Sequence, residues 1–240
     1  MSAPVPYSEV YPVFRHDCDL YRRMKPSALL RYAQQIATIH AEKLGLGDAY
    51  YEEHQVAFLL AKQALEITRT PLADERLTYT TYPEGCRRAT YKRVTVITDE
   101  QGREVACLDS RWVLVDTASR RIVRRQPESM QVQWMEQVER TLDLTIPKAD
   151  ELQSAGLRCA DYSLCDSNGH MNNTCYVDLA CDLLDPHQLQ SSALRRVVVS
   201  YHREVLYQQN VELLYGAAEQ GLYVTGVRDG LPAFEAYCGF

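Results

Sequence analysis

Apolar and polar positions first settle into a helical rhythm between Pro26 and Gly47. Leu29, Leu30, Ala33, Ile36, Ala37 and His40 recur on one face of PSALLRYAQQIATIHAEKLGLG. Pro26 suits a first helical position, and Gly45 and Gly47 suit the end. The rhythm then shortens to alternation and β-rich runs at 56–69, 75–82, 89–98, 103–116 and 121–125. PEG (83–85), DEQG (99–102) and DTAS (116–119) part these runs as turns. One helix followed by strands on short turns predicts an α+β unit with an antiparallel sheet.

Residues 127–150 carry Pro127, Pro147, acids and a short apolar alternation, and read as a connector. The order of elements then repeats: a strand at 157–165, a helix at 172–184, and strands at 195–207, 210–219, 221–227 and 232–238. The division predicted is a first unit over 1–128, a linker over 129–153 and a second unit over 154–240.

The repeat is visible residue by residue. DLYRRMKPSALLRYA from Asp19 aligns with DSNGHMNNTCYVDLA from Asp166, an offset of 147, and matches Asp19 to Asp166, Met24 to Met171 and Ala33 to Ala180. ITRTPLADERL from Ile67 aligns with YHREVLYQQNV from Tyr201 at an offset of 134, matching Arg69 to Arg203 and Leu72 to Leu206. The copies differ where chemistry can reside. Tyr21, Arg23 and Lys25 of the first face Asn168, His170 and Asn172 of the second, and Thr70 faces Glu204. Only the second copy assembles acids, amides and an imidazole.

Bulk composition narrows the function. With 46% hydrophobic and 24% charged residues the chain is ordinary for a globular protein. No apolar run approaches the ~20 residues of a membrane helix, and the N-terminus lacks a basic segment leading into an apolar one, so a cytoplasmic protein without a membrane span is expected. Residues 1–130 carry a balance of +2 and residues 131–240 one of −8, too weak for a nucleic-acid binder. None of the eight cysteines forms a C-x-x-C pair, so they read as reduced thiols in or near the core. No phosphate-binding glycine loop and no G-x-S-x-G elbow occurs.

The run CDSNGHMNN (165–173) is the strongest candidate for chemistry. Asp166, Asn168 and His170 alternate and share a face in an extended segment. Asn172 or Asn173 suits an N-cap, and the helix behind it would turn unpaired N–H groups toward the run. A calcium loop fails at its sixth and twelfth positions, which hold Met171 and Val177. A polar turn before a capped helix, a metal site on Asp166 and His170, and a hydrolytic site remain as readings; the metal site lacks an HxH or HExxH partner.

DSNGHMNNTCY resembles the D-x-N-x-H-x-N-N-x-x-Y motif of the acyl-acyl carrier protein thioesterases, a double-hotdog family, and YHREV (201–205) resembles that family's Y-R-R-E-C stretch. YAQQIATIHAEKLG, LEITRTPLADERLTYTTYP and SRWVLVDTASRRIV are similar in layout to its first half. The resemblance implies two tandem hotdog folds, each a long helix wrapped by a curved antiparallel sheet, with one active site in the second copy. It implies hydrolysis of fatty acyl thioesters on acyl carrier protein without a cofactor or metal, and a catalytic group of Asp166, Asn168, His170 and Glu204. The partner would be acyl carrier protein bearing a phosphopantetheine-linked chain. An acyl-CoA thioesterase of the same fold and a non-catalytic acyl-binding module are the alternatives, and pairing into a homodimer is open.

Thioester hydrolysis needs an activated water and a place for the oxyanion. Glu204, partly buried, would bind and deprotonate water. Asn168 and His170 would orient that water or the carbonyl. Asp166 would fix His170 and neighbouring amides, or act as base itself. Val205 stands where the family pattern has cysteine, which favours attack by water over an acyl-cysteine at that position. Arg87, Arg88, Lys92, Arg93, Arg120, Arg121, Arg124 and Arg125 are candidates for docking an acidic carrier. Trp112, Leu59 and Leu60 are candidates for an acyl tunnel, and His40 for a core or channel position.

Overall fold

The alternating runs assemble into one antiparallel sheet of ten strands. The structure, a computed structural model, describes residues 6–132 and 134–240. The strands are β1 (Tyr7–Pro12), β2 (Val56–Ile67), β3 (Arg76–Arg87), β4 (Thr90–Thr98), β5 (Glu104–Asp116), β6 (Gln153–Cys159), β7 (Arg196–Tyr201), β8 (Asn210–Ala218), β9 (Gly221–Arg228) and β10 (Leu231–Gly239). Their order is β1-β3-β4-β5-β2-β7-β10-β9-β8-β6. The second half repeats the first in reverse, so the two units meet along β2 and β7.

That seam carries a pseudo-two-fold axis. Ala64 pairs with Val198, its own counterpart at offset 134, and Lys62–Ser200 and Glu66–Arg196 flank it symmetrically. A contact in which each patch meets its own equivalent is the isologous geometry of a two-fold dimer, here within one chain.

Helix α1 (Pro26–Lys43) lies across the first unit's inner face. It buries Leu29, Leu30, Ala33 and Ile36 against Leu65, Leu77, Ile97 and Leu108, at about 1.5–3 kcal/mol for each large aliphatic side chain. It stops at Lys43, and Gly45 turns the chain away with a φ of +83°. A short α2 (Asp48–His54) follows, which the periodicity did not announce.

The second unit's helix is not the single long helix the resemblance implies. It is α3 (Cys175–Cys181) and α4 (Pro186–Ser191), in the span that offset 147 assigns to α1. Pro186 makes the break. It has no N–H to donate and its ring opposes the preceding turn, so Asp185 adopts an extended ψ of 122° and caps α4 through His187 N and Gln188 N. Residues 121–125, expected as a strand, contribute only an isolated bridge from Ile122 to Val115.

The connector is a strap over the outer face of the sheet. Val138, Leu142 and Ile146 cover Ala64, Val94, Cys107, Val198 and Tyr237. Lys92 Nζ donates to Val138 O at 2.7 Å and Thr141 Oγ1 at 2.8 Å, and Arg196 Nη2 to Asp143 Oδ2 at 2.8 Å. Lys148 pairs with Glu235 beyond the seam. Among the described residues no helix is long and apolar enough to cross a membrane.

Candidate active site

The polar run and its first-copy counterpart fold into the same turn. Asp19 N donates to Arg23 O and Asp166 N to His170 O, at 2.8 and 3.1 Å. Met24 N reaches Pro71 O and Met171 N reaches Val205 O, both at 2.8 Å. Arg23 bridges Leu72, and His170 bridges Leu206. Asp19 Oδ1 receives Tyr21 N and Arg23 N, whereas Asp166 Oδ1 receives Asn168 N at 2.9 Å and Oδ2 receives Asn172 Nδ2 at 2.9 Å. The left-handed position of this turn holds Gly169, with a φ of +77°, in the second copy and Arg22, with a φ of +63°, in the first, so glycine is favoured there and not obligatory.

An antiparallel bridge between His170 and Leu206, framed by Met171 N to Val205 O and Tyr207 N to Gly169 O, sets the side chains. Met171 and Val205 point into the core and are fully buried. Alternation therefore turns His170, the neighbour of Met171, to the other side. His170 Nδ1 lies 3.1 Å from Met171 O. A carbonyl only accepts, so in the neutral ring the proton sits on Nδ1 and Nε2 is left as an acceptor.

Three expectations need correction. Asp166 fixes neighbouring amides, Asn168 N and Asn172 Nδ2, but among the described residues makes no hydrogen bond to His170. Glu204 is exposed in the loop after β7, so the partial burial assumed for it is absent. The helix behind the run presents few free donors. Asn172 Oδ1 takes Thr174 N at 2.9 Å and Thr174 Oγ1 at 2.8 Å, and Asn172 O takes Cys175 N at 2.9 Å. Asn172 thus tethers the turn through Asp166 and starts α3, and Asn168 remains exposed at the tip.

Just after the run, Thr174 reaches a small cavity that belongs mainly to the first unit. Thr174 lines one part, Leu30, Ala33 and Ala37 of α1 another, and Leu60, Leu108 and Trp112 of the sheet a third. Leu60 and Trp112 were expected there; Leu59 points outward and is 39% exposed. The sequence reading missed a polar chain joining the units: Gln63 Nε2 donates to Tyr201 Oη at 2.6 Å, and Tyr201 Oη to Asn173 O at 2.8 Å. The signal was the one used on the polar run, a difference between copies. At offset 134 Gln63 faces Val197 and Ile67 faces Tyr201.

Two of the basic residues expected on a docking surface are elsewhere. Lys92 is buried beneath the strap. Arg93 points inward to His40 Nδ1 (3.3 Å) and Thr81 Oγ1 (3.0 Å) and lines the cavity. Burial pushes His40 down to about 4, helped by Arg93 and Lys43, and the ring is neutral at pH 7. Arg88, Arg120, Arg121, Arg124 and Arg125 are exposed, without ion pairs among the described residues.

The equivalent site in the other unit is filled. Arg23, the counterpart of His170, sends Nη2 to Leu189 O at 2.6 Å and Nη1 to Ser192 O at 3.4 Å, while Nε holds Asp19 at 2.9 Å. Tyr21 Oη reaches Pro186 O. The broken helix is pinned where a second opening would lie.

Two helix-and-sheet units fused along a pseudo-two-fold seam define a double-hotdog protein. The chain belongs to the acyl-ACP thioesterase family: the model of the acyl-ACP thioesterase N-terminal domain matches residues 4–132, and that of the C-terminal domain residues 148–227. No curated protein matches the chain by sequence. Among solved structures it is similar to an acyl-ACP thioesterase from Bacteroides thetaiotaomicron, with a TM-score of 0.87 and 20% identity over 98% of this chain and 97% of that one. It is also similar to the 12:0-ACP thioesterase from Umbellularia californica, with a TM-score of 0.83 and 15% identity over 98% and 96%. At these identities the likeness is one of fold.

Proposed function

We propose that the chain hydrolyses acyl thioesters carried on acyl carrier protein, releasing the free acid and the carrier thiol. The observation that carries this reading is the docking of the Asp166–Asn172 turn on the loop after β7, where His170 bridges Leu206 and Met171 N donates to Val205 O, the residue after Glu204. In this reading the acyl chain enters the first unit (1–128), residues 129–153 are the linker and the second unit (154–240) supplies the chemistry.

A water held between His170 Nε2 and the Glu204 carboxylate attacks the thioester carbonyl. The free lone pair on Nε2 suits it to take the water proton. Asn168, at the tip of the turn, donates its amide hydrogens to the developing oxyanion. The C–O bond forms, the C–S bond breaks, and the proton passes from His170 to the departing thiolate. Asp166 is a positioning residue, since its carboxylate is spent on the turn and on Asn172.

Five exposed arginines, without carboxylate partners among the described residues, support an acidic carrier as the partner. The test is release of free acid from one acyl group presented on carrier protein and on coenzyme A. The carrier-bound form should be hydrolysed faster, with the advantage shrinking as salt rises. Equal rates at all salt concentrations would move the assignment to coenzyme A, and no release from either would end the hydrolase reading.

A further inference from the structure

The loop after β7, which carries Glu204, has a counterpart in the first unit. At offset 134 Leu72 answers to Leu206, Asp74 to Gln208 and Glu75 to Gln209. Asp74 and Gln208 both stand at positive φ, +75° and +65°. Leu72 N donates to Glu75 Oε1 at 2.8 Å, and Leu206 N to Gln209 Oε1 at 3.0 Å. Val13 N reaches Glu75 O and Ala160 N reaches Gln209 O, at 2.7 and 2.8 Å. The chain makes one turn twice.

The two copies clip this turn with opposite charges. In the first unit Arg69 forks onto Glu75 at 2.9 and 2.8 Å, and Asp99 lies 3.5 Å from the same guanidinium. In the second unit the acid is replaced by the amide of Gln209, and Arg203, the counterpart of Arg69, is exposed. The clip comes from Arg228 at the end of β9. Thr81 pairs with Thr95 as Tyr215 pairs with Val224, so Thr95 answers to Val224 and, four residues on, Asp99 answers to Arg228. Arg228 Nη1 donates to Gln209 Oε1 and to Glu204 O, the latter at 3.4 Å. The exposed Asp229 lies 3.4 Å from Arg228 Nε, which makes no hydrogen bond among the described residues. Acids at these two positions would repel the Glu204 carboxylate; an amide and a guanidinium do not.

We propose that Arg228 and Gln209 are positioning residues for the hydrolytic site: they fix the backbone from Glu204 to Leu206, the segment on which the His170 turn docks, and so set the placement of Glu204 relative to His170. The inference rests on the thioester-hydrolase reading. The path is short and continuous. Arg228 holds Glu204 O and Gln209 Oε1, and Gln209 holds Leu206 N. Leu206 bridges His170, and Met171 N and Tyr207 N close on Val205 O and Gly169 O at 2.8 and 3.0 Å. A displacement of about 1 Å at a reacting group costs on the order of 100-fold in rate, so a clip that lies outside the reaction still acts on kcat. The Arg69 clip carries Thr70 where the second unit carries Glu204, and has no reacting group to place.

The test compares Arg228→Met with Arg69→Met, which break equivalent clips in the two units. Both should lower the urea midpoint. Only Arg228→Met should lower kcat for an acyl thioester on carrier protein, by ~10-fold or more, with KM little changed. Equal losses of kcat in the two variants, or none in Arg228→Met, overturn the proposal. Should Arg228→Met not fold, Gln209→Leu takes its place, because it removes the acceptor of Leu206 N: a ~10-fold fall in kcat supports the clip, and an unchanged kcat overturns it. If the unaltered protein turns over no thioester, the hydrolase reading fails separately. Amide hydrogen exchange then decides the clip: Met171 and Tyr207 exchanging faster in Arg228→Met than in Arg69→Met supports it, and equal exchange overturns it.

Discussion

Ala64 and Val198 face each other at the centre of the sheet, and each is the other's counterpart in the duplicated chain. Both are fully buried, with the strap residues Val138 and Leu142 in the cluster that covers them. The joint between the units is therefore packed on its outer face by a segment belonging to neither. Ala64→Leu should overpack this point and destabilise the whole chain by ~1–3 kcal/mol. Urea unfolding followed by fluorescence and by circular dichroism should show one shared transition at a lower midpoint. Separate transitions for the two probes would mean that the seam does not couple the units.

Asp19 and Asp166 build the same turn in the two copies, so their alanine variants separate structure from chemistry. Both should lose stability, by about 1–3 kcal/mol, because the turn amides lose their acceptor. Only Asp166→Ala should also lower kcat, since only its turn carries Asn168 and His170. An equal loss of activity in Asp19→Ala would contradict the assignment of the site to one half.

His170→Gln removes the free ring acceptor while keeping a polar side chain of similar reach. Thioester hydrolysis should fall ~100-fold or more in kcat with KM little changed, as expected for a group that acts on the proton in the transition state. A KM effect alone would make His170 a binding residue.

His40 introduces a pH dependence of stability separate from the polar run at 165–173. Its folded value lies near 4 against an ordinary 6.5, because burial and Arg93 oppose the charge. Above pH 6.5 neither state binds the proton and His40 contributes no slope. As pH falls from 6.5 toward 4, the unfolded chain takes up a proton that the folded one refuses, and stability declines by about 3 kcal/mol in all. Urea midpoints at pH 7 and pH 4.5 should differ in the unaltered protein and differ less in His40→Gln.

Glu235 acts in a lower window. Burial alone would raise it, but hydrogen bonds from Lys148, Tyr223 and His202 hold it down at about 2. Its folded value is depressed, so its contribution is present above 4.5 and disappears as pH falls toward 2. Glu235→Gln should flatten acid unfolding in that range, read as the midpoint of an acid titration, and leave the slope between pH 6.5 and 4.5 intact.

Much of this architecture is written locally along the chain. The α1 periodicity, the strand alternation and the order of elements are short-range properties, and the duplication follows from comparing them at offsets 147 and 134. The difference between Arg23 and His170 is equally legible. The break at Pro186 was legible as well, since proline acts on its own turn, although the helical pattern continued to Leu184 and masked it.

What the tertiary structure alone decided depends on groups far apart in sequence. The exposure of Glu204 follows from where the loop after β7 runs, and Asp166 serves Asn172 rather than His170 because the turn closes on itself. Arg93 became a cavity residue because strand alternation has two faces, and only the packing of α1 against one of them says which face is inside. The link from Gln63 through Tyr201 to Asn173 exists only once β2 and β7 pair. Sequence periodicity gives each element its two sides; which side meets water, and which meets the other half of the molecule, is set by long-range packing.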